Sequence, residues 1–181
     1  MRAKKKVLLY WIVAMIFISF TCATVYLVDQ QLMRQGANEE PLRLAQDTIL
    51  NLEKGQTIKS AVPADKVDIS KSLSPFVMVY DTDKKLVAAS GTWVNSLPIY
   101  PSGVLANTAA KGETRVTWQP QNGLRFATVA VQYSKGFVVG ARSLQETENR
   151  IADMGKTVGL AWLAGAFLAA VLLMFYGYLN F

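Results

Sequence analysis

PFVMVYDTDKKLVAASG, from Pro75 to Gly91, is the stretch that decides the fold. Phe76–Tyr80 is an unbroken run of β-formers. DTDK follows. Aspartate side chains bond nearby backbone N–H groups and tolerate tight conformations, so the chain turns here. Leu86–Ala89 is the returning strand. The segment is a β-hairpin, and it lies between two stretches apolar enough to cross a membrane.

Those stretches are Val7–Val28, VLLYWIVAMIFISFTCATVYLV, and Thr157–Phe181, TVGLAWLAGAFLAAVLLMFYGYLNF, and neither contains a charge. Each exceeds the roughly 20 apolar residues a helix needs to cross about 30 Å of hydrocarbon. Four of the 19 basic residues, Arg2, Lys4, Lys5 and Lys6, stand directly before the first stretch. The remaining 15 face 13 acidic residues in the middle of the chain, which carries only +2 of the net +6. The charge therefore sits where the positive-inside rule places it, rather than in a basic stripe on a folded domain, and no nucleic-acid partner is expected. No A-x-A cleavage site follows the first apolar run, so it is expected to stay as an uncleaved span. The expected division is a cytoplasmic basic anchor over 1–6 and a transmembrane helix over 7–28. An extracytoplasmic domain then occupies 29–156, and a second transmembrane helix 157–181. The location expected is the cell membrane, with the N-terminus in the cytoplasm.

Several chemistries are excluded at once. Cys22 is the only cysteine and there is no histidine, so intrachain disulfides, histidine triads and histidine metal ligation are absent. No G-x-S-x-G, Ser-x-x-Lys, Walker or zinc spacing occurs. Asp81 and Asp83 are followed by Lys84 and Lys85, not by the oxygen ligands of a calcium loop. The chain is expected not to be an enzyme, and no metal or cofactor is expected.

The rest of the middle segment supplies the partners of the hairpin. Asn38 is placed to cap a helix with Pro41 in its first turn. Leu42, Ala45, Ile49 and Leu52 recur at helical spacing and form one apolar stripe, which either covers the domain's own sheet or makes a dimer seam. Gly55 ends that helix. Val104–Ala110 is a short helix stopped by Gly112. Glu113–Gln119, Leu124–Gln132 and Phe137–Ala141 are three strands, the first pair joined by PQNG, where Asn-Gly suits positive φ. Ser143-Leu-Gln-Glu146 has the spacing of a capping box, in which Ser143 caps N3 and Glu146 reaches back. The helix it opens runs straight on into the second apolar stretch. The order is span, helix, two strands, short helix, three strands, helix, span.

FVMVYDTDKKLVAAS, GETRVTWQPQNGLRFATVAVQYSKGFVVGARSL and RSLQETENRI together resemble the extracytoplasmic PAS-like sensor domains (Cache or PDC domains) of bacterial membrane receptors and sensor kinases. The resemblance covers about residues 40–155. It implies an α+β fold: a five-stranded antiparallel sheet in spatial order 2-1-5-4-3, a long N-terminal helix on one face, and the loop with its short helix on the other. In this family that second side often holds a small-molecule pocket. Receptors of this kind continue past the second span into an output module. With the chain taken as complete at Phe181, any signal is expected to pass sideways to a membrane partner.

Candidate ligand-binding residues are Tyr80, Trp93, Tyr100, Trp118, Arg125 and Arg142. Aromatic walls with a few polar groups characterise small-ligand sites, and an arginine suits a carboxylate or phosphate. The same aromatics equally suit core packing, and the arginines a solvated surface. Alternation points Arg125 and Phe126 to opposite faces, so both cannot enter one pocket. In the second span Ala161, Gly165 and Ala169 fall at steps of four, a spacing for close helix packing onto the first span or a partner. Two functions are expected to compete. One is a ligand-binding sensor that signals laterally to a membrane protein or a second copy. The other is a non-sensing assembly module of the cell envelope.

Overall fold

The computed structural model describes residues 2–93 and 96–180. Met1 and Phe181, the ends of the expected anchor and second span, lie outside them. The chain divides into two units, the paired apolar helices and the α+β domain of residues 34–148.

In the first unit α1 (Arg2–Gly36) packs against the apolar part of α5 (Gln145–Asn180). Both helices are long and apolar enough to cross a membrane, and their most apolar windows bury nothing inside the protein. They run in opposite directions. Tyr10 meets Tyr176 edge-on at 6.4 Å, Trp162 Nε1 donates to Ser19 Oγ at 2.9 Å, and Gly155 lies against Tyr26. Gly165 faces Ile18, whose Cγ2 would stand 3.4 Å from an added Cβ. Ala169 is half-buried, whereas Ala161 is exposed. Of the expected stripe, Gly165 and Ala169 lie toward α1 and Ala161 does not. The seam drifts by three and four residues, through Val158, Trp162, Gly165 and Ala169, because a straight helix turns 3.6 residues per turn and a strict step of four rotates off the contact line.

The domain is a five-stranded antiparallel sheet with helices on both faces. Its strands are β2 (Phe76–Tyr80), β3 (Leu86–Ala89), β5 (Glu113–Gln121), β6 (Leu124–Tyr133) and β7 (Gly136–Ser143), ordered β3-β2-β7-β6-β5. Among these five strands alone, that is the expected order 2-1-5-4-3. A second sheet pairs β1 (Val67–Asp68) with β4 (Gly91–Thr92) in parallel. Strands of two residues are too short to leave a periodic signature in the sequence.

The hairpin closes through its own turn. Asp81 Oδ1 accepts from Lys85 N–H at 2.8 Å, and Lys84 takes φ 62°, which a non-glycine residue adopts only in tight turns. Between β5 and β6, Gly123 carries the positive φ, and the register slips between Trp118 and Gln121. Pro120 sits in that slip, where a missing N–H costs the ladder nothing.

One face of the sheet is covered by α2 (Glu39–Glu53), which lies over β7 and β6. Ala45 and Leu52 pack with Val77, Val79 and Val138, so the apolar stripe covers the domain's own sheet. Asn38 stands at the N-cap position, yet its amide donates to Arg34 O and makes no cap bond. The first turn instead fits by close approach. A Cβ on Gly140 would stand 1.9 Å from the Pro41 carbonyl oxygen. The other face carries Phe76, Met78, Phe126, Phe137 and Val139 under α4 (Ser102–Lys111) and the 90–101 segment.

Gly140→Ala should therefore push α2 off the central strand. Overpacking against backbone costs about 1–3 kcal/mol or more, read as a clear fall in the domain's thermal midpoint in the detergent-solubilised chain. Gly103→Ala, in α4 with open space around it, should be neutral or slightly stabilising.

Candidate functional site

The four aromatics sit on one face of the domain, as a packed row. Tyr80 is buried on β2, Trp118 on β5, and Tyr100 just before α4, while Trp93 is half-buried against them. Ring centroids are 6.4 Å apart for Tyr80–Tyr100, 5.6 Å for Tyr100–Trp118 and 5.5 Å for Trp118–Phe126. Phe126 meets Phe76 edge-on at 5.5 Å and continues the row. The polar tips are satisfied inside it. Tyr100 Oη shares a hydrogen bond with Thr128 Oγ1 at 2.8 Å, and Thr128 donates to Val116 O. Tyr80 Oη donates to Met78 Sδ at 3.6 Å. These rings fill one another's space, so Tyr80, Tyr100 and Trp118 act as core.

The arginines lie elsewhere, and the six expected residues do not form one site. Strand alternation turns Arg142 on β7 and Arg125 on β6 to the α2 side. Arg125 is ion-paired with Glu148 in the first turn of α5. Arg142 joins two helices. One guanidinium nitrogen pairs with Glu40 in the first turn of α2, and the other donates to Glu146 of α5 at 2.9 Å. Both carboxylates stand at helix N-termini, where negative charge is favoured. The capping box is modified accordingly: Ser143 Oγ accepts from Gln145 N–H, and Glu146 turns to Arg142.

A recess that the sequence reading missed opens on the α2 side, at the turn end of the sheet. It holds about 230 Å³ between the end of α2, the start of α3 (Ile58–Ala61), the β2–β3 turn and the β6–β7 turn. Leu52, Ile58, Val87 and Tyr133 make its apolar walls, Gln56, Thr57, Asp81 and Lys135 stand at its sides, and Tyr80, one of the expected ligand residues, lines it from the end of β2. Val87 is available because β3 bulges there: Tyr80 pairs with Leu86 and Val79 with Ala88, which leaves Val87 unmatched. No sequence signal marks it, since its walls come from four separate parts of the chain.

Burial fixes the protonation of the aromatic row. Desolvation pushes the Tyr100 phenol up to about 12 against the opposing Thr128 bond. Burial, and then its neighbour Tyr100, push Tyr80 further still. No family model matches this chain, and no curated protein or solved structure matches it either.

If the row is core, Trp118→Ala should cost about 3–5 kcal/mol in thermal or urea unfolding of the domain. Arg125→Gln should cost under about 1 kcal/mol. An open aromatic site would give a near-neutral Trp118→Ala. A second outcome is alkaline. A raised tyrosine pKa means the unfolded chain loses its proton first, from the phenol's ordinary value of 10.0. Stability is then complete below about pH 10 and falls as pH climbs toward the folded value. A pH series of thermal midpoints, flat at neutral pH and dropping in that window with delayed phenolate absorbance, checks it.

Proposed function

We propose that this is a PAS-like (Cache-type) sensory protein of the bacterial plasma membrane. Its two apolar helices anchor the chain, its basic N-terminus faces the cytoplasm, and its α+β domain stands outside. The domain binds rather than catalyses, and it reports laterally to a membrane partner or a second copy. The strand order and the two-helix anchor support the reading. The observation that carries it is Arg142. A single guanidinium ties the first turn of α2 to the first turn of α5, and α5 continues as one helix to Asn180. A change in how α2 lies on the sheet thus acts on the base of the helix that enters the membrane.

An assembly-module reading is favoured by one specific feature. Leu97 and Ile99 are exposed beside the aromatic core, Ile99 at 87%, and such side chains suit contact with another protein.

The two readings separate on one measurement. In a Cys22→Ala background, Ile18→Cys with Gly165→Cys places two thiols where the helices touch. Small-molecule fractions of culture medium should change the cross-linking rate of the full chain in lipid discs several-fold. Arg142→Gln should abolish that response while lowering the thermal midpoint by roughly 4 °C, about 1 kcal/mol for two half-exposed pairs. A rate indifferent to every fraction, in a folded domain, overturns sensing.

A further inference from the structure

The β5–β6 turn carries a reactive pair that the rest of the chain does not repeat. Asn122 is the one asparagine followed by glycine. Both residues are exposed, between Gln121 and Leu124, the last paired residues of the hairpin. Gly123 takes φ 83°, and a Cβ added there would meet nothing within 4 Å. The backbone nitrogen of residue 123 is thus screened by no side chain.

Neither reacting group is tied down. Among the described residues the Asn122 amide makes no hydrogen bond, and the Gly123 N–H makes none either. The other asparagines of the domain differ. Asn38 donates to Arg34 O and Asn107 to Thr114 Oγ1, each at 3.3 Å. Asn51 lies inside α2 and Asn149 inside α5, where the next N–H belongs to the helix ladder. Each of these four is followed by a residue with a side chain. An asparagine amide carbon reaches the next backbone nitrogen by closing a five-membered ring, and glycine resists that closure least.

We propose that Asn122 is a site of spontaneous deamidation in the folded protein. Hydroxide takes the proton of the Gly123 nitrogen, which bonds to Asn122 Cγ. The Cγ–Nδ2 bond breaks and ammonia leaves, protonated by water. A second water then opens the cyclic imide. Opening at Cγ gives an aspartate. Opening at the backbone carbonyl gives an isoaspartate, whose main chain is one methylene longer. Either product sets a carboxylate three positions before Arg125, whose guanidinium pairs with Glu148 and whose carbonyl accepts from Leu144 N–H at 2.8 Å. The charge therefore arises at the end of the sheet where α5 begins. Hairpin register follows turn length, and here the ladder already slips between Trp118 and Gln121. The longer turn is absorbed in that slip, before the buried Trp118–Phe126 pair. The chemistry depends on the turn alone and not on the proposed function.

The full chain in detergent is incubated at neutral and at mildly alkaline pH, and the tryptic peptide from Val116 to Arg125 is followed by chromatography and mass spectrometry. Two products should grow in, each with the mass gained when an amide becomes a carboxylic acid. Their rate should rise in proportion to hydroxide, while Asn51, Asn107 and Asn149 convert at least about tenfold more slowly. Asn122→Gln, which must close a larger ring, should slow conversion at 122 by at least about tenfold. The aged chain should keep its thermal midpoint within about 4 °C of the fresh one, as for changes at exposed positions. Conversion seen only after unfolding in urea overturns the proposal, because the folded turn then protects the amide. So does conversion of Asn122→Gln at the parent rate. A larger fall in midpoint overturns the placing of the change outside the core.

Discussion

The first turn of α2 can lie on the central strand only because residue 140 has no side chain. The Pro41 carbonyl occupies the place a Cβ would take, and everything on that face follows from the contact. Residues 140 and 142 of β7 point the same way. Glu40, one residue before Pro41, is therefore delivered to Arg142. The ion pairs are a consequence of the packing and not its cause. Burying one Val or Phe contributes about 1.5–3 kcal/mol, and β2 is buried along its whole length, whereas a half-exposed pair contributes at most about 1 kcal/mol. Hydrophobic burial holds α2 down, and Arg142 sets which way its first turn faces.

The two faces of the sheet differ in what they leave open. On the α4 side the rings from Tyr80 to Phe76 pack in one row, and among the described residues no buried side-chain N or O lacks a partner. On the α2 side, Gly55 at φ 86° ends the helix before the strand turns. The β3 bulge and the β6–β7 turn then stand beyond α2, flanked only by the short α3. A recess at that end is the geometrical result of a 15-residue helix crossing a sheet whose turns project past it.

What was legible in the sequence was whatever a local pattern dictates. The β-run, the aspartate turn, the apolar stripe of α2 and the two uncharged stretches each carry their own periodicity or turn chemistry. Together they gave the elements and the α+β class. The misses are all matters of tertiary pairing. Arg142 looks like a ligand-binding arginine until Glu40, 102 positions away in sequence, arrives beside it. Ser143 and Glu146 have capping-box spacing, but Glu146 answers to Arg142. The β1–β4 pair rests on two-residue strands joined across the fold. Ala161 has the spacing of the stripe and turns away from α1. Tyr80, Tyr100 and Trp118 show how aromatic composition alone does not distinguish a pocket wall from a core, since both demand the same side chains.

Magnitudes also separate the parts of this domain that are able to carry a signal from those that are not. Coupling between sites typically amounts to 1–3 kcal/mol. A buried ring in the aromatic row contributes more than that and is locked by neighbours on every side, so an element held by it does not exchange between two arrangements at equilibrium. The Arg142 pairs, together about 1 kcal/mol, stand at the lower end of that range. They join two helix starts, their side chains are 34–38% exposed, and water stands ready to replace either carboxylate. Under the proposed function, this half-exposed polar junction is therefore the place where binding and reporting meet. The strength of the surrounding core is what confines the change to it.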